Sequence, residues 1–420
     1  MKYLLPIVML MLTYLNTGYT DINQEVSDLK KDFAIIKEIY EKKIEALEKK
    51  IQKLETVENS REKLNEEKSD THSDHSEESN FSVEAVLSGK YSTYTRSGEV
   101  AIKGFGVGEE GERGREGLAI DETEVIINSD IGDKFTGSLT AAIVREDGAD
   151  KIELEEAYIE SLEGGSLLDN TFFKLGRAFW NIGTLNSQHA HADDFADRPL
   201  PYRVFLNKAY NDDGLETSYL LPGNNLSEIG FGIFRGDDYP FGNNNSQGSD
   251  AWSAFYKTNF KFSNSDEVFI NLYHLSGKAK NGNISTEDTV VFRGDSDLSV
   301  INLDYENSYT SNGKFKVSTE YFYRNQQGTY EDTDASTGEV NFDDNDSGYY
   351  IALVNQFNDN LSMGFRYSEL SAADTPAGLV GSSLDSVSND PETYSIMSEW
   401  KFDSSAIMRL QLNHEKPRLI

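Results

Sequence analysis

The chain has no cysteine, only eight prolines and three tryptophans in 420 residues, and an apolar content of 37%. The missing cysteine excludes disulfides and thiolate metal sites, and is compatible with an oxidising envelope. A mean hydropathy of −0.55 leaves little apolar material to fill the core of a soluble protein of this length. Positive charge is scarce too: 39 Lys and Arg against 72 Asp and Glu give a formal charge of −33. That balance argues against nucleic acid, which selects basic surfaces. It attracts cations, although acidic loops that merely keep the surface solvated are the plainer reading. Beyond the first residues no apolar run is long enough for a membrane helix, which argues against an inner-membrane protein.

What the chain does have is period-two alternation. Phe315-Val317-Thr319-Tyr321-Tyr323 interleaves with Lys316-Ser318-Glu320-Phe322-Arg324. Leu361-Met363-Phe365-Tyr367 interleaves with Ser362-Gly364-Arg366-Ser368, and Tyr394-Ile396-Ser398-Trp400-Phe402 with Ser395-Met397-Glu399-Lys401. Each set falls on one face of a strand. One apolar and aromatic face, one polar face and segments of about 9–11 residues predict an all-β, transmembrane antiparallel β-barrel of about sixteen strands. A polar interior with lipid outside also removes the need for a large core.

Residues 1–20 read as a signal peptide, with Lys2, an apolar stretch Leu4–Leu15 and a small-residue site at Gly18-Tyr19-Thr20. Residues 21–57 predict a periplasmic α-helical coiled coil. Val26, Leu29, Phe33, Ile36 and Tyr40 follow 3-4 spacing, which Ile44, Leu47, Ile51 and Leu54 continue after a stutter. A thin stripe over 26–54 predicts a homo-oligomer; a lone helix against the barrel is the alternative. Residues 58–80 form a charged, Ser-rich linker read as disordered. Its His72 and His75 are a secondary metal candidate.

The outer-membrane barrel is expected over 81–420. Strands are predicted near 81–94, 118–130, 134–145, 151–162, 170–178, 213–221, 226–236, 250–262, 266–277, 295–309, 313–325, 346–357, 360–371, 392–402 and 405–414. Tight turns at Gly132-Asp133, Gly223-Asn224, Asn264-Ser265, Asn312-Gly313, Asn358-Asp359 and Asp403-Ser404 alternate with loops at about 179–212, 237–249, 278–294, 326–345 and 372–391. Short turns face the periplasm in such barrels. Fifteen strands then leave residue 414 outside, so either residues 99–107 hold another strand or the closing strand is missing from this sequence.

The longest loop concentrates the chemistry. His189, His191, Asp193 and Asp194 offer nitrogen and oxygen ligands to zinc or a similar ion. In an extended stretch His189, His191 and Asp193 share one side. The same loop, fixed by Pro199 and Pro201, also suits a pore constriction without metal, or an external cover. Arg177, Arg324, Arg366, Arg409, Glu320 and Glu399 fall on the polar phase and are candidate pore-lining residues; a solvated wall is the simpler view of any one of them. No phosphate-binding glycine loop or nucleophile-base arrangement is legible, so no enzyme is predicted.

Gly176-Arg177, Gly183-Thr-Leu-Asn186, Gln188-His-Ala-His191, Asp193-Asp-Phe195, Asp197-Arg-Pro-Leu-Pro201 and Asp212-Asp-Gly214 resemble a Gram-negative family of zinc-regulated TonB-dependent outer membrane receptors. The match covers about residues 172–222 and is architectural elsewhere. A coiled coil before a barrel is also similar to siderophore-uptake barrels without a plug. Residues 21–80 leave no room for the globular plug of true TonB-dependent receptors, so passive or selective diffusion fits better than energy coupling. The resemblance implies a porin-like channel or receptor in outer-membrane lipid for a small cation or metal chelate. Zinc is the candidate substrate, with no cofactor required. A structural tether and a general diffusion porin are the alternatives.

Overall fold

The computed structural model describes residues 81–95, 102–108, 111, 116–146, 149–162, 165–166, 168–223, 225–242, 248–283, 289–387 and 390–416. Of the two units into which the chain divides, Met1–Ser76 and Glu77–Ile420, all belong to the second. The expected signal peptide, coiled coil and linker, with His72 and His75, lie outside them.

Among the described residues, fifteen strands form one sheet in sequence order, each antiparallel to the next. They are β1 (Phe81–Ser92), β2 (Gly117–Ile131), β3 (Phe135–Glu146), β4 (Ala149–Ser161), β5 (Thr171–Phe179), β6 (Asn211–Leu221), β7 (Ser227–Phe234) and β8 (Ala251–Lys261). Then follow β9 (Asp266–Asn283), β10 (Val290–Ser308), β11 (Lys314–Asp332), β12 (Val340–Asn358), β13 (Leu361–Ser371), β14 (Glu392–Lys401) and β15 (Ile407–Lys416). Every predicted strand is present. Residues 102–108 form turns and coil, not an additional strand.

Register confirms the two phases. Thr319, Ile351, Tyr367 and Tyr394 are cross-strand neighbours on the outward face. Leu353, Phe365, Ile396 and Leu412 run beside them and are exposed. The inward phase holds buried polar groups: Glu320, Arg324, Arg366, Ser368, Ser395 and Glu399. An exposed apolar exterior around a polar interior inverts the arrangement of a water-soluble barrel.

The prediction ended four strands too early. Residues 278–283, 290–294, 326–332 and 340–345 extend β9 to β12 instead of forming loops. Polarity reverses there: Gln327, Asp343 and Asn345 are exposed on the outside, while Phe292, Tyr330, Leu379 and Leu384 form a buried cluster inside. The apolar-out signal stops, but backbone pairing continues. At about 3.3 Å per residue these strands reach roughly 60 Å, well past the 9–11 residues needed to cross a bilayer.

The main buried cluster lies inside the sheet and is built on the segment between β5 and β6. Trp180, Ile182, Tyr202, Val204, Phe205, Leu206 and Tyr210 are all fully buried. They meet Phe234, Leu275, Phe322, Tyr350 and Leu370 from the sheet. A six-residue helix, α1 (Leu200–Phe205), starts after Pro199 and is buried at every position. The same segment touches inward side chains of strands from β2 to β15, so the sheet curls around it. Replacing outward Ile351, at mid-band, by Arg is expected to cost about 2–4 kcal/mol of stability in lipid vesicles. Urea titration of the vesicle-folded protein would measure this; a neutral result would mean that this face does not meet hydrocarbon.

Candidate functional site

The inserted segment is held by its own polar residues. Fully buried Asn186 donates from Nδ2 to the carbonyls of Trp180 (2.7 Å) and Tyr210 (2.9 Å), and accepts from the Tyr210 N–H at 2.6 Å. One side chain thus ties both ends of the segment together. Arg198 donates to Asp193 Oδ2 (2.9 Å) and to the carbonyls of Lys208 and Gln188 (2.7 Å each). Gly183 has φ of 94°, in the left-handed region, and sits against the Tyr202 hydroxyl, where a Cβ would collide.

The wall then pins the segment. Glu320, fully buried on β11, accepts from Thr184 N–H (2.8 Å), Thr184 Oγ1 (3.0 Å), Tyr202 Oη (2.7 Å) and Tyr350 Oη (2.8 Å). Burial and this carboxylate push the Tyr202 phenol far above its ordinary range, which keeps it a donor. Phe205 stacks on Phe322, with the Arg324 guanidinium 4.9 Å from its ring centre. Arg324 also grips Asp346 through two hydrogen bonds, at 3.0 and 2.6 Å.

Asp197 accepts from Arg366 and Gln411 on Oδ1 (2.5 and 2.6 Å) and from Asn413 on Oδ2 (2.7 Å). Burial would raise its pKa, but the nearby Arg366 and Arg203 hold the carboxyl below the usual range. Arg409 pairs with Glu399 at 2.7 Å and reaches the Phe195 carbonyl at 3.4 Å.

Five of the six predicted pore-lining residues therefore face inward: Arg324, Arg366 and Arg409, with Glu320 and Glu399. Of these, Glu320, Arg366 and Arg409 bond directly to the inserted segment. Arg177 is a correction. Its neighbour Ala178 is the inward, fully buried residue. Arg177 shares the outward phase with exposed Leu175 and pairs with Asp213 (3.2 Å) and Asp238 (2.6 Å) at the long-loop rim. A charge on the outward phase is tolerated there because the apolar band has ended.

The predicted ligands divide. Asp193 is buried and engaged by Arg198 and by Gln188 Nε2 at 2.7 Å. Asp194 is exposed and lies 3.5 Å from Lys316 Nζ. Neither joins the histidines. The segment is not extended there: Ala190–Ala192 form a 3-10 turn, and Asp193, which caps it, does not follow the two histidines to one side.

His189 and His191 do come together, their rings stacked at 5.6 Å and 25°. Their partner is Glu124 of β2. The Nδ1 atoms of His189 and His191 lie 3.2 and 3.3 Å from Glu124 Oε1. Glu124 is 0% exposed, and neither of its oxygens has a hydrogen bond of good geometry. One ligand atom from each of Glu124, His189 and His191 falls within 4.8 Å of the other two.

Two more carboxylates reach His189: Glu155 Oε2 at 3.4 Å from Nδ1 and Glu156 Oε2 at 2.8 Å from Nε2. Burial opposes a charge on His189, yet the three carboxylates outweigh it and push the imidazole up to about 12. Phe179 meets the same ring edge-on at 5.1 Å.

Sequence reasoning missed all three glutamates. The available signal was a carboxylate in mid-strand on the inward phase, which is costly at membrane depth and marks function. Asp121-Glu122-Thr123-Glu124 and Glu153-Leu-Glu155-Glu156 look instead like solvated acidic runs.

No family model matches the chain. An uncharacterized protein of Aquifex aeolicus (strain VF5) is 24% identical over 261 residues, 58% of this chain and 53% of that protein. The chain thus spans about half the length of the curated relative it matches. The outer membrane channel DcaP of Acinetobacter baumannii has a similar fold, with a TM-score of 0.49 and 10% identity over 80% of this chain and 91% of that one. An anion-selective porin from Comamonas acidovorans gives 0.48, 12%, 81% and 90%. OprB of Pseudomonas putida gives 0.45, 10%, 81% and 89%. The likeness is to outer-membrane porin-like barrels, and the narrower resemblance to zinc-regulated TonB-dependent receptors finds no support in it.

Two outcomes test the pinning of the segment. Glu320→Ala strands the hydroxyls of Tyr202 and Tyr350 and is expected to cost about 3 kcal/mol or more. Proteolysis of intact barrels should then cut within 180–210, and continued protection would remove Glu320 from this role. Because the Asp197 pKa is depressed, its contribution is complete above an ordinary carboxylate value near 4 and fades as pH falls below it. Hydrogen exchange over 193–203 should quicken on that acid side in the native protein and not in Asp197→Asn.

Proposed function

We propose that this chain is a porin-like outer-membrane barrel that takes up a small cationic solute, zinc or a metal chelate. Short turns face the periplasm, and the extended β9 to β12 stand on the outside. The observation that carries the reading is Glu124: a fully buried carboxylate, without a good hydrogen bond, facing two imidazole nitrogens on the segment that fills the barrel. Two nitrogens and an oxygen suit a borderline divalent ion such as Zn²⁺. The cation is cargo held in passage. A formal charge of −33 favours cations over anions around the chain.

Filling of the interior by residues 180–210 favours selective passage over open diffusion. Calorimetry on the detergent-folded protein should give a zinc heat that His189→Ala/His191→Ala loses, while Asp194→Ala retains it. In planar bilayers the native protein should conduct with a cation preference, and zinc should alter the conductance. Conductance with no zinc effect in either assay would leave a general diffusion porin; a silent bilayer with normal folding would favour a tether.

A further inference from the structure

The inserted segment is held differently on its two sides. Toward β5 and the strands from β7 to β14 it is sealed by apolar packing, each of them giving a buried residue to the main cluster. Among the described residues, β1 to β4 give none. On the sealed side Tyr202, Phe322 and Leu370 keep no exposed surface. The side chains of His189 and His191 keep 17% and 27% of theirs.

The contacts toward β2 and β4 are carboxylate to imidazole. His189 meets Glu124, Glu155 and Glu156, and His191 meets Glu124. Glu155 and Glu156 both reach one ring because of a bulge: Thr140 pairs with Glu156 and Ala141 with Leu154, which leaves Glu155 as the extra residue of β4. The two kinds of contact part at different cost. Water re-solvates a separated carboxylate and imidazole, but it does not replace buried apolar contact. Parting the sealed side would also strip Glu320 of the donors from Thr184 and Tyr202. The weaker seam is the one facing β2 and β4.

The candidate ligands straddle that seam. Glu124 belongs to the wall, His189 and His191 to the segment, and one ligand atom from each stands within 4.8 Å of the other two. Closure brings the three together. Separation leaves one carboxylate on the wall and two imidazoles on the segment, each set short of the three protein ligands that hold an exchangeable zinc.

We infer that the seam between residues 187–192 and strands β2 to β4 is the gate of the barrel, and that opening it releases the cation by dividing its ligands between the two sides. The inference rests on the cation-capture reading above and adds how the ion is let go. The apolar side of the segment stays seated throughout.

The chain has no cysteine, so an installed pair holds its only thiols and each side can be fastened separately. Glu124→Cys/His191→Cys spans the gate, where the native side chains lie 3.3 Å apart. Asp194→Cys/Lys316→Cys spans the segment and β11, at a native distance of 3.5 Å. The readout is potassium current through the full-length barrel in planar bilayers, because the first pair removes two of the ligands. A short bifunctional thiol reagent should abolish the current of Glu124→Cys/His191→Cys, and leave it unchanged in either single variant and in Asp194→Cys/Lys316→Cys. Should the first pair fail to fold, judged by heat-modifiable gel mobility, hydrogen exchange on the native barrel decides. Amides of 187–192 should then exchange faster than those of 197–205, and Zn²⁺ should slow them. Current that survives the cross-link at the gate, current lost through the cross-link to β11, or exchange no faster over 187–192 overturns the gate. A native barrel that passes no current overturns the uptake reading beneath it.

Discussion

The structure depends on mutual satisfaction between the inward face of the sheet and the segment it encloses. Inward charges away from water must be paired or hydrogen-bonded, because an isolated buried charge costs several kcal/mol. Glu320 and Arg366 find donors and acceptors on residues 184–202. In return, the segment's apolar residues find cover against Phe322, Tyr350 and Leu370. Neither surface is stable without the other. The low apolar content is thereby accommodated: one face of each strand is turned outward, and a single stretch supplies much of the core.

Against that background the histidine cluster stands apart. Glu320 is a buried carboxylate with four donors and no need of an ion. Glu124 is equally buried and has two imidazole nitrogens near one oxygen without a good hydrogen bond. The contrast between these two acids, in one lumen, separates a structural pin from the position at which the proposed cation would bind. The Asp193–Arg198 pair belongs with the pins, since it braces the turn that carries His189 and His191.

All fifteen strands were legible because a wall between two solvents has to repeat every second residue. The signal failed where the surroundings changed. Above the apolar band β9 to β12 keep pairing with the opposite polarity, and a pattern tuned to lipid outside takes those residues for loops. The site was half legible. Two histidines in a long polar loop announce themselves, but their carboxylate partners are long-range: Glu124 lies 65 positions before His189, and Glu155 is aimed by a bulge that exists only in pairing with β3. Asp193 and Asp194 neighbour the histidines in sequence but not in space: Arg198 holds the first, and the second faces Lys316.

The last strand is fastened to the interior as well as to its neighbour. Along β15, Arg409, Gln411 and Asn413 reach the Phe195 carbonyl, the Ala196 N–H and Asp197, and Asp197 also holds Arg366 of β13. One carboxylate therefore bridges two staves of the cask across the stave between them. Removing that one carboxylate would release the filling from both staves at once.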